Sequence, residues 1–370
     1  MIINHVKANH FKNYELLSLS FSPDCNVIYG LNGSGKTNLL DLIHFLCLGK
    51  SYFSITDKQA LNYAFDYFRL EADLESDEKE RLKIAVSVPS SGRKKIWRNG
   101  DALKKNTELL GLIPIVCIVP DDIELIKGSS IVRRKFMDRV LCQLSKDYTN
   151  ALINYERALK QKLALLKNTS SIHELDHVLI QTYDELLWKH GKVINASRNH
   201  FCKTFEPKFD EMYTDIAGKN EKADIHYESN FSIDTFLSDS KENREIDFYS
   251  KRVRKGTHRD DVVFKVNSQN VRKFASQGQM KTFIYALKFS EYLFLSDQSE
   301  RRPILLLDDI FEKLDKARLQ HLFELMTSSR FGQIFITDTE QNRSIQLLKE
   351  LNISYFSFRV EKNIISQSNG

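Results

Sequence analysis

The chain is poor in the residues that mark several protein classes. Its 370 residues include five cysteines, which are Cys25, Cys47, Cys117, Cys142 and Cys202. They are widely spaced and contain no C-x-x-C pair, so the sequence favours reduced thiols over a disulfide framework or a zinc site. Reduced thiols are typical of cytoplasmic proteins, and we expect a cytoplasmic location.

Long apolar segments are also missing. The longest, LLGLIPIVCIV at 109–119, is shorter than the ~20 residues that a membrane-spanning helix needs. The N-terminal MIINHVKANHF has no apolar run of signal-peptide length. These absences predict a chain with no membrane partner.

The composition is that of an ordinary globular protein, with 42% hydrophobic and 28% charged residues and enough length for two or three domains. The net charge of +5 permits a polyanionic partner such as nucleic acid without requiring one. The function must therefore be inferred from motifs.

Hydrophobic periodicity distinguishes the first third of the chain from the middle. The first 120 residues favour strands, with a hairpin at Asn99-Gly100 and one helix that ends near Gly49. Residues 121–217 show apolar side chains at helical spacing, without a heptad repeat long enough for an extended coiled coil. The polar segment 218–247 has no clear period, and we expect a flexible connection there.

Apolar strands return after residue 260, in DVVFKV, PILLLDD and QIFITD, and they alternate with helical patterns. Such strands indicate a parallel sheet covered on both faces. We therefore predict an α/β core built from both chain ends, 1–120 and 246–370, with a helical arm inserted at 121–245.

The strongest motif is a phosphate-binding loop. Its residues are Gly30, Leu31, Asn32, Gly33, Ser34, Gly35, Lys36 and Thr37, which match G-x-x-x-x-G-K-[ST]. Glycines let the backbone wrap a phosphate chain, Lys36 supplies a charge to the β/γ phosphates, and Thr37 supplies a magnesium ligand. An apolar strand precedes the loop and an amphipathic helix follows it, as this mechanism requires.

A pair of acids supports the phosphate loop. Asp308 and Asp309 end the buried apolar strand ILLLDD. Asp308 is expected to orient the shell of a Mg²⁺ ion, and Asp309 to position or deprotonate the attacking water.

A second helix start, Ser276-Gln277-Gly278-Gln279, has two interpretations. It is either a helix with Ser276 as an ordinary N-cap or a corner that completes a nucleotide site on another molecule. The local pattern alone leaves both open.

The segments ASQGQMK and PILLLDDIFEKLD resemble the signature motif and the Walker B strand of ABC-type ATPases, with Leu314-Asp315 in the place of the D-loop. Within that group the chain resembles the RecF family of bacterial recombination and gap-repair proteins over nearly its whole length. The segments that carry this resemblance include HFKNYELLSLSF, VPDDIELIKGSSIVRRKFMDRVLCQL, GTHRDD and FGQIFITDTE.

The resemblance implies an ABC-type ATPase head that pairs with a second copy when ATP is bound. Ser276, Gly278 and Gln279 would then contact the γ-phosphate held by the partner's loop. It further implies ATP-dependent DNA binding at gaps, and cooperation with RecR and RecO in loading the RecA recombinase.

The chain departs from the wider ABC pattern at three places. Asp309 stands where transporters usually have glutamate, TDT at 337–339 replaces a histidine, and no glutamine stands near CIVPDD for a Q-loop. Asp309 is a shorter base than glutamate, and the histidine that would contact the γ-phosphate is replaced. Both differences favour slow ATP hydrolysis that resets a switch.

Basic runs are candidates for DNA phosphate contacts of the kind that give affinity without sequence specificity. The candidate residues are Arg133, Arg134, Lys251, Arg252, Arg254 and Lys255, and GRKKIWR at 92–98 is a third run. Each run is also compatible with a solvated surface, and Arg133 and Arg134 with pairing to Asp121, Asp122 or Asp138. For His258 and Arg259 the sequence leaves two roles open, one at the nucleotide site and one at a dimer interface.

Three other functions fit the sequence less well. A transporter subunit would need a membrane partner, a histidine after the last core strand and a glutamate after Asp308. A small-molecule kinase leaves SQGQ unexplained. The head of another SMC- or Rad50-like protein needs hundreds of coiled-coil residues, whereas about 100 helical residues lie here.

Overall fold

The computed structural model describes residues 1–53, 56–218, 221–309, 316–326, 328 and 330–369. It divides the chain into two compact units. We call Met1–Asp122 together with Tyr285–Gly370 the head unit, and Ile123–Ile284 the arm unit. None of the described helices is long and apolar enough to cross a membrane.

The strands are β1 Ile2–Phe11, β2 Tyr14–Ser20, β3 Cys25–Tyr29, β4 Tyr67–Glu75, β5 Arg81–Pro89, β6 Lys95–Arg98, β7 Asp101–Ala102, β8 Ile115–Ile118, β9 Ala223–Glu228, β10 Asp261–Val266, β11 Gln269–Asn270, β12 Ile304–Leu307, β13 Ile334–Asp338, β14 Tyr355–Glu361 and β15 Ile364–Asn369. The α-helices are α1 Lys36–Leu48, α2 Glu124–Lys127, α3 Ser130–Leu144, α4 Lys146–Asn168, α5 His177–Ala217, α6 Phe236–Glu242, α7 Arg244–Ser250, α8 Val271–Phe274, α9 Gln277–Ser299, α10 Lys316–Met326 and α11 Gln341–Glu350. The 3₁₀ helices are Asp57–Ala60, Asn106–Leu109, Pro120–Ile123, Ile172–Glu174 and Thr257–Arg259.

The head unit contains a six-stranded sheet in the order β15-β14-β3-β13-β12-β8. Its pairs are parallel except for the β14–β15 hairpin. The residues of β3, β8, β12 and β13 are all buried, as expected for strands covered on both faces. Since β3 comes from the N-terminal part and its neighbours from the C-terminal part, the sheet is built from both chain ends, as predicted.

A second sheet of the head unit is antiparallel, in the order β2-β1-β4-β5-β6-β7. Its strands alternate between buried apolar and more exposed polar side chains, so one face packs on the core. The hairpin between β6 and β7 turns at Asn99 and Gly100, both at positive φ, which confirms the predicted Asn-Gly turn.

Helix α1 packs its apolar side chains into the same core. It ends at Gly49, whose φ is 69° and whose N–H donates to the Phe45 carbonyl oxygen at 2.8 Å. The predicted glycine C-cap is therefore confirmed.

The arm unit is built around the long helix α5, which has 41 residues. Phe201, Phe205 and Phe209 recur at helical spacing along it and form a line of contacting rings. That line continues to Phe283, 4.8 Å from the Phe209 ring. An aromatic stripe of this kind holds the helix in place through packing rather than through intrinsic propensity.

The prediction of a flexible connection at 218–247 is wrong for most of that segment. Strand β9 pairs along its whole length with β10, for example Ile225 with Phe264, and α6 and α7 follow it. The partner of β9 lies about 40 residues further along the chain, so no local period announces the strand.

The predicted boundary of the arm at 245/246 differs from the compact unit, which continues to Ile284. The difference arises because β10, from the predicted C-terminal part, pairs with β9 of the predicted arm. The three-part division by function stays a prediction.

Candidate nucleotide-binding site

The phosphate loop lies between β3 and α1, at the carboxyl edge of the parallel sheet. Gly30 and Gly35 have φ angles of 154° and 115°, outside the range of most other residues. A Cβ on Gly30 would lie 2.3 Å from the Val360 carbonyl oxygen, and one on Gly35 would lie 2.6 Å from Asn13 Nδ2. Both positions therefore require glycine for a close approach of backbone and neighbours.

Polar groups inside the loop fit a phosphate ligand. Lys36 is 4% exposed, and its Nζ donates to the carbonyl oxygens of Gly30 at 2.9 Å and Leu31 at 3.3 Å. Ser34 Oγ is buried and has no hydrogen-bond partner in the described part of the chain. A buried hydroxyl without a partner costs free energy, and a phosphate oxygen would supply the missing bond.

The hydroxyl and carboxylate predicted to hold a metal come together, although they are 271 residues apart in sequence. Thr37 Oγ1 lies 3.0 Å from both Asp308 Oδ1 and Asp308 Oδ2. Asp308 is 5% exposed, and burial raises the pKa of its carboxyl, against hydrogen bonds from Thr337 and Thr37 that lower it. A buried carboxylate beside a hydroxyl is the oxygen donor set that Mg²⁺ prefers.

Thr337 joins β13 to the acid pair. Its Oγ1 donates to Asp308 Oδ1 at 2.8 Å and accepts the Asp309 N–H at 2.8 Å. In the sequence this residue stands out only as part of the segment that replaces a histidine. Its position on a strand next to β12 could have been anticipated from the parallel order of the sheet.

Asp309 follows Asp308 at the edge of the sheet and is partly exposed. Its φ of 45° is unusual for a residue other than glycine. The predicted D-loop residues Leu314 and Asp315 lie outside the residues that the structure describes.

Asn13, just before β2, and Tyr14, the first residue of β2, also contact residues at the start of α1. Tyr14 donates its hydroxyl to the Gly35 carbonyl oxygen at 3.0 Å, and Asn13 Oδ1 accepts from Asn38 Nδ2 at 2.6 Å. Sequence reasoning missed both as site residues, because the HFKNYE segment has no local phosphate pattern.

The second helix start is a capping box. Ser276 Oγ accepts the Gln279 N–H at 3.2 Å, and Gln279 Oε1 accepts the Ser276 N–H at 3.0 Å. Gln279 Nε2 also donates to Glu221 Oε1 at 2.7 Å. Ser276 and Gly278 are nevertheless exposed, so the capped corner remains open to a ligand from outside.

The first basic run faces inward more than the sequence suggested. Arg133 Nε and Nη2 donate to the two carboxylate oxygens of Asp261 at 2.7 and 2.9 Å, and Arg133 is 7% exposed. Arg134 donates to the Asp260 carbonyl oxygen at 2.5 Å. Other acceptors of these two arginines are the Leu125 and Gly128 carbonyl oxygens and Ser130 Oγ. The expected bracing of the arm is present, but among the described residues the acids that accept these bonds are Asp260 and Asp261 rather than the predicted Asp121, Asp122 or Asp138.

The second basic run is divided between internal contacts and solvent. Lys251 Nζ donates to the carbonyl oxygens of Leu166 and Thr169 at 2.6 and 3.0 Å, and Lys255 Nζ lies 3.5 Å from Asp239 Oδ2. Arg252 and Arg254 are exposed. Of the six candidate cations, these two arginines are therefore the most exposed to solvent.

His258 lies within the arm unit. Its ring bridges the Tyr155 hydroxyl at 2.8 Å and the Val253 carbonyl oxygen at 2.9 Å. Burial lowers the pKa of His258 to about 4, helped by the nearby positive charges of Arg259 and Arg134. These contacts give His258 a role in holding the basic segment.

Known proteins align with this chain over nearly its full length. It matches the family model described as RecF/RecN/SMC N terminal domain over residues 2–357. It is 37% identical over 360 residues to the DNA replication and repair protein RecF of Flavobacterium johnsoniae, covering 97% of this chain and 100% of that protein. For RecF of Phocaeicola vulgatus the identity is 36% over 368 residues, covering 99% and 98%.

Solved structures share the fold. A structure of the recombination mediator protein RecF with ATP, in the RecFOR pathway, matches at a TM-score of 0.89 and 27% identity over 99% of this chain and 97% of that one. An Smc head domain from Pyrococcus furiosus matches at a TM-score of 0.57 and 16% identity, over 100% and 96%. The predicted ATPase-head fold with an inserted arm is confirmed. The chain belongs to the RecF family of DNA replication and repair proteins.

Proposed function

We propose that the chain is an ATP-switched DNA-binding protein that acts as a pair of identical subunits. The proposal rests on two features that lie in separate units of the chain. The head unit holds a loop that fits a triphosphate, and the arm unit presents the exposed corner Ser276–Gly278. One nucleotide needs one phosphate loop, so the second corner is best used on a partner's nucleotide.

The residues that hold the nucleotide are those of the loop. Gly30 to Thr37 wrap the phosphates, and Lys36 can turn from its carbonyl partners towards the β/γ oxygens. Thr37 and Asp308 would hold Mg²⁺, which neutralises charge on the phosphate oxygens. Asp309, at the partly exposed edge, would position the attacking water.

Pairing requires ATP because neither half-site alone surrounds the γ-phosphate. Ser276, Gly278 and Gln279 would contact it from the partner. A ligand that binds the paired state better than the separate subunits shifts the equilibrium by that difference in affinity. Hydrolysis removes the shared phosphate, and the short Asp309 side chain without a neighbouring histidine favours a slow reset.

DNA binding is assigned to the arm unit. Arg252 and Arg254 are exposed there, and contacts from cations to phosphates give affinity that depends on salt and not on sequence. Pairing would place two such surfaces on one assembly, so DNA affinity would rise with ATP.

The place of the chain in repair follows its relatives. One related structure is described as RecF with ATP in the RecFOR pathway. This supports a role with RecO and RecR. We further propose that the assembly acts at gapped DNA in the cytoplasm and promotes RecA loading.

Sedimentation velocity tests the proposal. The wild-type chain should be a monomer without nucleotide and a dimer with ATP-Mg²⁺. Ser276→Arg should bind ATP as a monomer and stay monomeric, because the long cation blocks the corner. An identical monomer with and without ATP in the wild type would contradict the proposal.

A further inference from the structure

Two large apolar side chains are exposed on the two motifs that the proposed pairing brings together. Leu31, next to Gly30 in the phosphate loop, is 82% exposed. Phe274, two residues before Ser276, is 66% exposed. Removing such surfaces from water is favourable, and neither exposure contributes to the folding of one chain.

The backbone around each side chain is held in place. The Leu31 carbonyl oxygen accepts from the Ser34 N–H at 3.2 Å, a backbone bond that holds this part of the loop. Phe274 ends the short helix α8, which is capped by the Asn270 side chain and anchored by Val271, 1% exposed. These two apolar groups are therefore displayed in defined positions.

The surroundings of Phe274 match a phosphate loop in charge. Arg272 and Lys273 precede it and are exposed. Two exposed cations beside an exposed aromatic ring complement a site that combines a triphosphate with an exposed leucine.

We propose that Phe274 of one subunit packs on Leu31 of its partner when ATP is bound, with Arg272 and Lys273 beside the partner's triphosphate. This contact rests on the proposed pairing. It means that a second copy of this chain covers both exposed apolar side chains. Leu31 lies within the phosphate loop, and Phe274 lies two residues before Ser276. Because consecutive Cα atoms are ~3.8 Å apart, both side chains would be within reach of the shared nucleotide. Two-fold symmetry forms the contact twice in each dimer.

A double-mutant cycle tests the contact. Dimer dissociation constants are measured at saturating ATP-Mg²⁺ for the wild type, Phe274→Ala, Leu31→Ser and the double variant. Each single variant should weaken association at least about tenfold, because it removes buried apolar area at both symmetric positions of the dimer. The double variant should be weaker by less than the product of the single effects, because both substitutions act on the same pair of side chains. Phe274→Leu, which keeps apolar area, should restore most of the association.

Matched controls use equally exposed apolar residues away from both motifs. Leu16 in the head unit is 77% exposed and Tyr249 in the arm unit is 66% exposed. Leu16→Ser and Tyr249→Ala should dimerise as the wild type does.

The outcomes separate the contact from the pairing. If the wild type dimerises but Phe274→Ala and Leu31→Ser associate normally, or their effects multiply without coupling, the contact is overturned and the pairing stands. If the wild type fails to dimerise with ATP, the proposed function fails and the contact fails with it.

Discussion

The two compact units carry the charge of the chain unequally. The arm unit has 28 basic and 22 acidic side chains, and the head unit has 26 and 27. The net charge of +5 is thus +6 on the arm unit and −1 on the head unit. Near-neutrality suits a unit that binds one nucleotide, whereas the excess on the arm unit suits a polyanion.

The units also use their buried polar groups differently. In the head unit Thr37, Asp308 and Thr337 meet at the edge where a nucleotide would bind. In the arm unit Arg198 bonds Asp138 and Asp260 at 2.8 Å each, deep inside the unit. The buried acid at this edge of the head unit is placed for ligand chemistry, whereas Arg198 and its two acids serve the internal structure of the arm unit.

Lys36→Met should have the largest effect, and it acts on the head unit alone. Methionine keeps most of the length of the side chain but removes the charge that we propose reaches the phosphates, so ATP binding should be lost. Isothermal titration calorimetry measures this. Lys95→Met, an exposed lysine of the same unit, is the control and should bind ATP normally. Retained affinity in the Lys36 variant would show that the loop does not hold the triphosphate.

Arg198→Ala tests whether the buried charges of the arm unit are structural. It leaves Asp138 and Asp260 without their buried partner, which should lower the free energy of unfolding by about 3–5 kcal/mol. Urea denaturation measures the decrease. The exposed Arg252→Ala should change stability by no more than about 0.5 kcal/mol, and equal decreases in both variants would contradict the distinction.

His258 should make the stability of the arm unit depend on pH. Its pKa is lowered to about 4 in the folded chain, below the ordinary value of 6.5, because burial disfavours the charged ring. The unfolded chain therefore binds the extra proton between these values, so stability is lost as pH falls from 6.5 to 4, by up to about 3 kcal/mol. Denaturation across this range should show a smaller decrease in His258→Gln than in the wild type. The exposed His200→Gln should keep the full decrease, and identical curves for His258→Gln and the wild type would contradict the assignment.

The paired variant Arg252→Ala/Arg254→Ala should give the smallest effect, confined to DNA. The slope of log affinity against log salt should fall by about 4 for the ATP-bound dimer, one unit for each of its four arginines that no longer neutralises a phosphate. Fluorescence anisotropy with gapped DNA and ATP measures it. Lys104→Ala/Lys105→Ala, an exposed pair of the head unit outside the three basic runs, should keep the slope. Equal changes of slope in the two double variants would contradict the assignment of DNA binding to the arm unit.

Much of the head unit was predictable because its signals are local. Continuous apolar strands, the glycine pattern of the loop, the Asn99-Gly100 turn and the Gly49 cap each depend on a few neighbouring residues. The meeting of Thr37 and Asp308 was also predictable, since both follow strands of one parallel sheet.

The arm unit was less predictable because its interactions are distant in sequence. Strand β9 depends on β10, and the Arg133 side chain depends on Asp261, 128 residues away. A run of cations carries no information about which of its members find internal partners. The sequence therefore overstated the basic surface and missed the ordered segment after residue 220.

The central claim is that each nucleotide site combines the loop of one subunit with the Ser276 corner of another. Mixing Lys36→Met with Ser276→Arg subunits tests it by sedimentation velocity, because a mixed pair contains one intact combined site. We predict that neither variant dimerises alone and that the mixture forms an ATP-dependent dimer. A mixture that stays monomeric while the wild type dimerises, or Ser276→Arg subunits that dimerise alone, would contradict the claim.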